Sequence, residues 1–171
     1  MRMLPAVPVL LALLALAPST EAQDDDLKKA PSCPHCGMDR QKFAQSRMVI
    51  DYEDGSSVGT CSIHCAAVEL ASSLDKAPSA LRVGDAVTKK LLDAEKAFWV
   101  VGGNRPGVMT RRAKWAFETQ EAALAFVKEN GGELASFDEA MKAAYEDMYA
   151  DTKMIREKRR AMRHKGHEMK H

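Results

Sequence analysis

Past Pro18 the sequence has no run approaching the roughly 20 apolar residues that a membrane-spanning helix requires, so no stable membrane span is expected. No glycine-rich phosphate loop follows a strand-like run, and Ser and His occur without an acidic companion at a recognisable nucleophile elbow. Both absences point away from an enzyme. The basic residues lack the aromatic and glycine-rich strand pattern of nucleic-acid-binding sheets, so no nucleic-acid partner is expected. Cysteine is scarce, with four in 171 residues, and the first, Cys33, lies too far behind the apolar N-terminal run to be a lipidation site.

What stands at the N-terminus reads as a secretory signal. Arg2 precedes an apolar stretch from position 3 to 18 that is broken by Pro5 and Pro8, and the small residues Thr20 and Ala22 suit a signal peptidase. Residues 1–22 are therefore expected to be removed, leaving a periplasmic protein of a size that suits one domain or two small, closely packed ones. The overall charge is only +1, but residues 151–171 carry eight Lys or Arg against three Asp or Glu. That basic, His- and Met-containing tail contrasts with an acidic remainder.

The charged segment 23–31, with Asp24, Asp25, Asp26, Lys28 and Lys29, reads as a solvated linker. Residues 46–52 look like a strand, Glu53-Asp54-Gly55 supplies turn chemistry, and 57–61 returns as a second strand. A helix capped by Ser62 should follow, burying Ala66, Ala67, Leu70 and Leu74. The same order recurs later. Phe98-Trp99-Val100-Val101 is a strand, 102–107 a glycine-rich loop, and Trp115-Ala116-Phe117 a strand; Thr119 caps a helix with Ala122, Ala123, Phe126 and Val127 inward, ended by Gly131-Gly132. The predicted fold class is α+β, with two ββα units at about 32–76 and 96–132 inside a metal-binding domain spanning 32–150. Ser136 and Glu139 form a capping box for a long C-terminal helix with Phe137, Met141, Ala144, Tyr145, Met148 and Ile155 on one face. Past Ile155 the apolar period stops, and the chain is expected to fray.

All four cysteines fall in Cys33-Pro34-His35-Cys36 and Cys61-Ser62-Ile63-His64-Cys65. One pair before a hairpin and one at the start of the next helix resemble a zinc-finger arrangement, with thiolates converging on Zn(II). Two disulfides are the alternative that an exported chain could keep. Cys33-Pro34-His35-Cys36 also matches the active-site tetrapeptide of thiol-disulfide oxidoreductases, but neither the strand before it nor the helix after it that such a motif needs is present. Cys36-Gly37-Met38 adds a thioether two residues from a thiolate. Soft sulfur donors select Cu(I), whereas Zn(II) would gain nothing from Met38. Met109, in the second unit's glycine-rich loop, is a further candidate sulfur, although methionine also fills core gaps.

Cys36-Gly37-Met38, Asp54-Gly55, Cys61-Ser62-x-x-Cys65-Ala66, Trp99-Val100-Val101-Gly102-Gly103, Gly107-Val108-Met109, Lys114-Trp115-Ala116-Phe117 and Gly131-Gly132 before Phe137 occur in this order. This set resembles the NosL family of nitrous oxide reductase accessory proteins from about Cys33 to Ala140. The resemblance implies an exported Cu(I) chaperone with paired ββα units. It implies a periplasmic copper enzyme or its assembly machinery as partner, and copper ligands at Cys36 and Met38. This sequence lacks the lipidation cysteine of many family members, and it has Arg40 where some carry a second methionine. His35 and His64 sit within the cysteine motifs, while His164, His167 and His171 crowd a tail read as a solvated basic end. If the leader reading is right, mass spectrometry of the exported protein will give an N-terminus at Gln23. A lipid-modified chain or one retaining Met1 overturns it.

Overall fold

The alternation of Met48, Ile50 and Tyr52 with Val49 and Asp51 makes β1 (Met48–Tyr52), and the turn after it is built as its chemistry demands. Gly55 takes φ +81°, and the Asp54 carboxylate accepts from the Ser56 backbone N–H at 2.8 Å. β2 (Ser57–Thr60) then returns antiparallel, with Ile50 opposite Val58. The computed structural model describes residues 25–168, with side chains through His164. The leader at 1–22 and the side chains of His167, Met169 and His171 lie outside the described residues.

Ahead of β1 stands a helical turn, α1 (Asp25–Lys29), and after β2 comes α2 (Ile63–Ser72). β3 (Pro78–Gly84) pairs with the other edge of β1, and β4 (Leu91–Asp93) with β3, giving the antiparallel order β2-β1-β3-β4. The second unit comprises β5 (Phe98–Val101), β6 (Lys114–Phe117), α3 (Gln120–Asn130) and β7 (Glu133–Ala135), with sheet order β6-β5-β7. Each expected ββα unit is present, and each is widened by strands that the sequence did not announce. α4 (Phe137–Glu168) closes the molecule.

One core joins the two units: Met48, Ile50 and Tyr52 of β1, Ala66 and Ala67 of α2, Trp99 of β5, and Phe137, Ala140, Met141 and Ala144 of α4. Trp99 and Phe137 meet with their rings tilted at 47° and 5.9 Å between ring centres. A smaller core lies under α3, where Phe117 meets Phe126 at 5.1 Å. Both predicted caps of the second half are made. Thr119 Oγ1 accepts from the Ala122 N–H, and the Ser136 and Glu139 side chains exchange bonds with each other's backbone N–H.

Four expectations need correction. Ser62 occupies the N-cap position of α2, but its side chain makes no capping bond. Leu74 lies beyond the last turn and is exposed, because α2 ends at Ser72. Tyr145 is exposed on α4 rather than on its buried face. α4 runs on to Glu168 instead of fraying near Ile155. From 156 to 165 the chain is almost all Arg, Lys, Glu, Ala and Met, strong helix formers that sustain a helix where the apolar period has ended.

The segment expected as linker is packed from residue 25 onward. Leu27 is buried, and the Asp26 carboxylate lies between two buried guanidinium groups, 2.7 Å from Arg40 Nη2 and 3.1 Å from Arg47 Nε. Arg40 also donates to the carbonyls of Ala30, Met48 and Thr60, and Arg47 to those of Ala44 and Lys89. Truncating the anion removes the carboxylate that two buried guanidinium groups share. Asp26→Ala is expected to cost about 3–5 kcal/mol in chemical denaturation, against near zero for the exposed Asp25→Ala; an equal, small effect of both would overturn this account.

Candidate metal centre

The first cysteine pair sits on a small loop that the backbone closes on itself. Gly37 N–H donates to the Cys33 carbonyl at 2.8 Å, and Cys33 N–H to the Met38 carbonyl at 2.9 Å. Gly37 stands at φ +75°, a conformation that glycine adopts without the penalty a Cβ would bring. The second pair comes from the end of β2 and the first turn of α2. Ser46 Oγ fixes the Cys61 carbonyl at 2.9 Å.

These two pieces bring four sulfurs together. Cys36 Sγ lies 3.4 Å from Cys61 Sγ, Cys61 Sγ 3.7 Å from Cys65 Sγ, and all four within 4.8 Å of one another. Four donors at about 2.3 Å from one tetrahedral ion would stand about 3.8 Å apart. The spacing therefore fits a sulfur-bound metal, and all four cysteines are free thiols rather than disulfides. Cys33, Cys61 and Cys65 are buried, whereas Cys36 is half-buried at the rim. Met38 and Met109 both pack against the cluster, with Phe43 and Val108. All six candidate sulfur residues thus converge, from segments up to 76 residues apart.

The thiols do not titrate alike. The Cys33 thiol is strongly acidified because Cys36, then Cys61 and Cys65, donate to its thiolate. Those of Cys61 and Cys65 are pushed far up, by Cys33 and Cys36 first and by burial after that. Cys36 is also held below its ordinary value, because against the opposing effect of Cys33 the hydrogen bonds of Cys61 and Cys65 favour its thiolate. The more easily lost protons therefore belong to the first pair, and charge on the second needs a cation to offset it. Metal uptake here would be coupled to proton release.

Neither histidine of the cysteine motifs joins the sulfur group. His35 Nε2 turns to Glu69, at 2.7 Å from Oε2, while Tyr52 Oη donates to Oε1 at 3.0 Å. His64 is buried with Nδ1 3.6 Å from Asp151 Oδ2, and burial pulls its pKa down against the opposing pull of Asp151. Asp151 was not anticipated. Its other oxygen accepts the Arg111 N–H at 2.9 Å, and no motif in the sequence marks it. Arg159 was also missed: its Nη2 donates to the Cys36 carbonyl at 2.6 Å, so α4 passes directly over the site. Arg40 is directed into the ion pair with Asp26 of α1. His164 lies on the exposed part of α4.

The sequence model of the NosL family matches residues 24–145. The chain belongs to the NosL family. Among solved structures, the crystal structure of the copper chaperone NosL from Shewanella denitrificans shares the fold. Its TM-score is 0.51 at 22% identity, over 63% of this chain and 87% of that one. A search of curated protein sequences gives no significant match. The family match ends before Asp151, Met154 and Arg159, so the part of α4 that covers the cysteines lies beyond the matched residues. No helix among the described residues is long and apolar enough to cross a membrane.

Glu69 anchors His35 and therefore the loop of the first cysteine pair. Burial alone would raise its pKa, but the hydrogen bonds from His35, Ser73 and Tyr52 outweigh it and hold the carboxyl below its ordinary value. A depressed carboxyl pKa contributes stability above the unfolded value, lost as pH falls through the native one. Glu69→Gln is expected to be less stable than the parent at neutral pH by about 1–3 kcal/mol. The gap should close as pH drops below the ordinary carboxylate range; denaturation curves in which it stays constant or widens would contradict this.

Proposed function

We propose that this chain is an exported metallochaperone that holds Cu(I) at the cysteine cluster and passes it to a copper enzyme in the periplasm. Nitrous oxide reductase is the client that the family resemblance implies. The single observation carrying the reading is the donor set, four thiols within 4.8 Å of one another with the thioethers of Met38 and Met109 packed against them. The donor side chains that converge there are cysteines and methionines, and thioethers are donors for which Cu(I) has use and Zn(II) has none. Cys36 and Met38 form the accessible side of the cluster, where an incoming ligand could exchange. The copper chaperone of Shewanella denitrificans has the same fold at 22% identity.

A dithiol oxidoreductase finds less support. Cys33 is buried, and the pair lies in a closed turn before a strand rather than at a helix N-terminus, where a reactive thiolate gains from the helix dipole. Zinc is the second reading, favoured by the near-tetrahedral spacing of the four sulfurs. In that case metal binding and folding would be one equilibrium.

Anaerobic competition against a Cu(I) chelator of known affinity, with circular dichroism on each variant, separates the two. Cys36→Ser should abolish tight Cu(I) binding. Met38→Leu should weaken it on the order of tenfold, about 1.4 kcal/mol, with the fold retained because leucine has similar volume. Neither Cys61→Ser nor Cys65→Ser should match Cys36→Ser in its direct effect on copper. Equal loss and unfolding in all four serine variants, with no effect of Met38→Leu, rejects the copper site and promotes the zinc module.

A further inference from the structure

The described part of the chain has seven methionines, and they divide into two groups. Met48 and Met141 are buried in the main core, and Met148 packs against it. The other four, Met38, Met109, Met154 and Met162, line a single groove of about 360 Å³ between α4 and the loop around Met109. Leucine would fill a groove wall as well as methionine does. Four thioethers gathered on one surface feature call for a reason beyond volume.

The groove and the cysteine cluster share a wall. Met38 and Met109 line the one and pack against the other. Met109 holds φ +62°, a left-handed backbone that a non-glycine residue adopts at a cost of about 1–3 kcal/mol. Its side chain lies between the two compartments. On the far wall, Met154 and Met162 lie two turns apart on α4, Met154 half-buried and Met162 exposed at the mouth. Arg159, between them in sequence, ties this stretch of helix to the Cys36 carbonyl. Thioethers therefore run from solvent at Met162, past Met154, to the two that touch the cluster.

We infer that this groove is a second, weaker Cu(I) site, an all-thioether station through which the ion enters and leaves the cysteine cluster. The inference rests on the copper reading above. A neutral thioether set compensates no charge, and Lys158 and Arg159 line the same groove. It must therefore hold a cation less tightly than thiolates do. The difference gives transfer a direction, downhill toward Cys36 during loading. In that step a Cu–S bond to a thioether breaks and one to the Cys36 sulfur forms. No electron moves, and when Cys36 is a thiol its proton leaves to solvent.

The test uses the full mature chain, with methionine methyl groups labelled for NMR, titrated anaerobically with Cu(I) from a weak chelator. The parent should take up one tight and one weak equivalent, the second shifting the methyl signals of Met154 and Met162. Met154→Leu/Met162→Leu should lose the weak equivalent and load the tight site more slowly, with the affinity of that site unchanged. Cys36→Ser should lose the tight equivalent and keep the methyl shifts. If Met154 and Met162 stay unshifted, or the double variant keeps both equivalents at the parent rate, the groove is no station. Absence of any tight equivalent in the parent instead refutes the copper function itself.

Discussion

Asp26 sits between the guanidinium groups of Arg40 and Arg47, and the two arginines also donate to the carbonyls of Asp26, Ala30, Ala44, Met48, Thr60 and Lys89. Those residues bracket the sulfur site. Ala30 lies three positions before Cys33, Arg40 itself two after Met38, and Thr60 immediately before Cys61. A loop with few apolar residues is thereby held against the sheet by charge-assisted bonds instead of by a core. Gly59 completes the fit, since a Cβ there would run into the Arg40 guanidinium. Burial draws the Arg40 pKa below its ordinary value and Asp26 opposes that pull, which is how a fully buried cation persists.

α4 acts on the same site from the opposite side. Its first half belongs to the core through Phe137, Ala140, Met141 and Ala144, and so locks the two ββα units together. Its middle is positioned by Arg112 and Lys114, which both reach Asp147, at 2.8 and 2.6 Å. Because a helix is stiff, fixing that half aims the next three turns, and Asp151, Met154 and Arg159 arrive beside His64, Met109 and Cys36. A residue 123 positions away in sequence thus contacts the cysteine loop through rigidity more than through local affinity.

What could be read in the sequence was whatever carries a short-range signal. The hairpin announced itself by Asp54-Gly55, α3 by Thr119 and Gly131, α4 by the Ser136/Glu139 box, and the sulfur cluster by its two spaced pairs. β4 and β7 have three residues each, with Leu134 of β7 exposed, and β3 begins at Pro78 with its first three residues exposed. Such strands exist because a neighbour offers its edge, and their own pattern says little. The tail was misjudged for a related reason. Apolar periodicity measures burial, so a helix carried by propensity and by Arg159 leaves no trace in it. Asp26 read as solvated because it stands in the charged run from Asp24 to Lys29 with little apolar content, and only the fold reveals two arginines folded onto it.

The site's shape bears on how an ion held by sulfur could ever be released. Four buried thiolates around a metal make a closed cage, and a closed cage stores better than it delivers. Here three thiols are buried and the fourth, Cys36, lies half-buried on a loop whose turn depends on Gly37 at positive φ. An incoming ligand can reach that sulfur without unfolding the others, so exchange can proceed by adding a donor before an existing one departs. Cys36 and Met38 are two residues apart on this half-buried side, while Cys61 and Cys65 are held at the end of β2 and the start of α2. In the proposed copper role, the rigid half would set affinity and the loop half would set the rate of transfer.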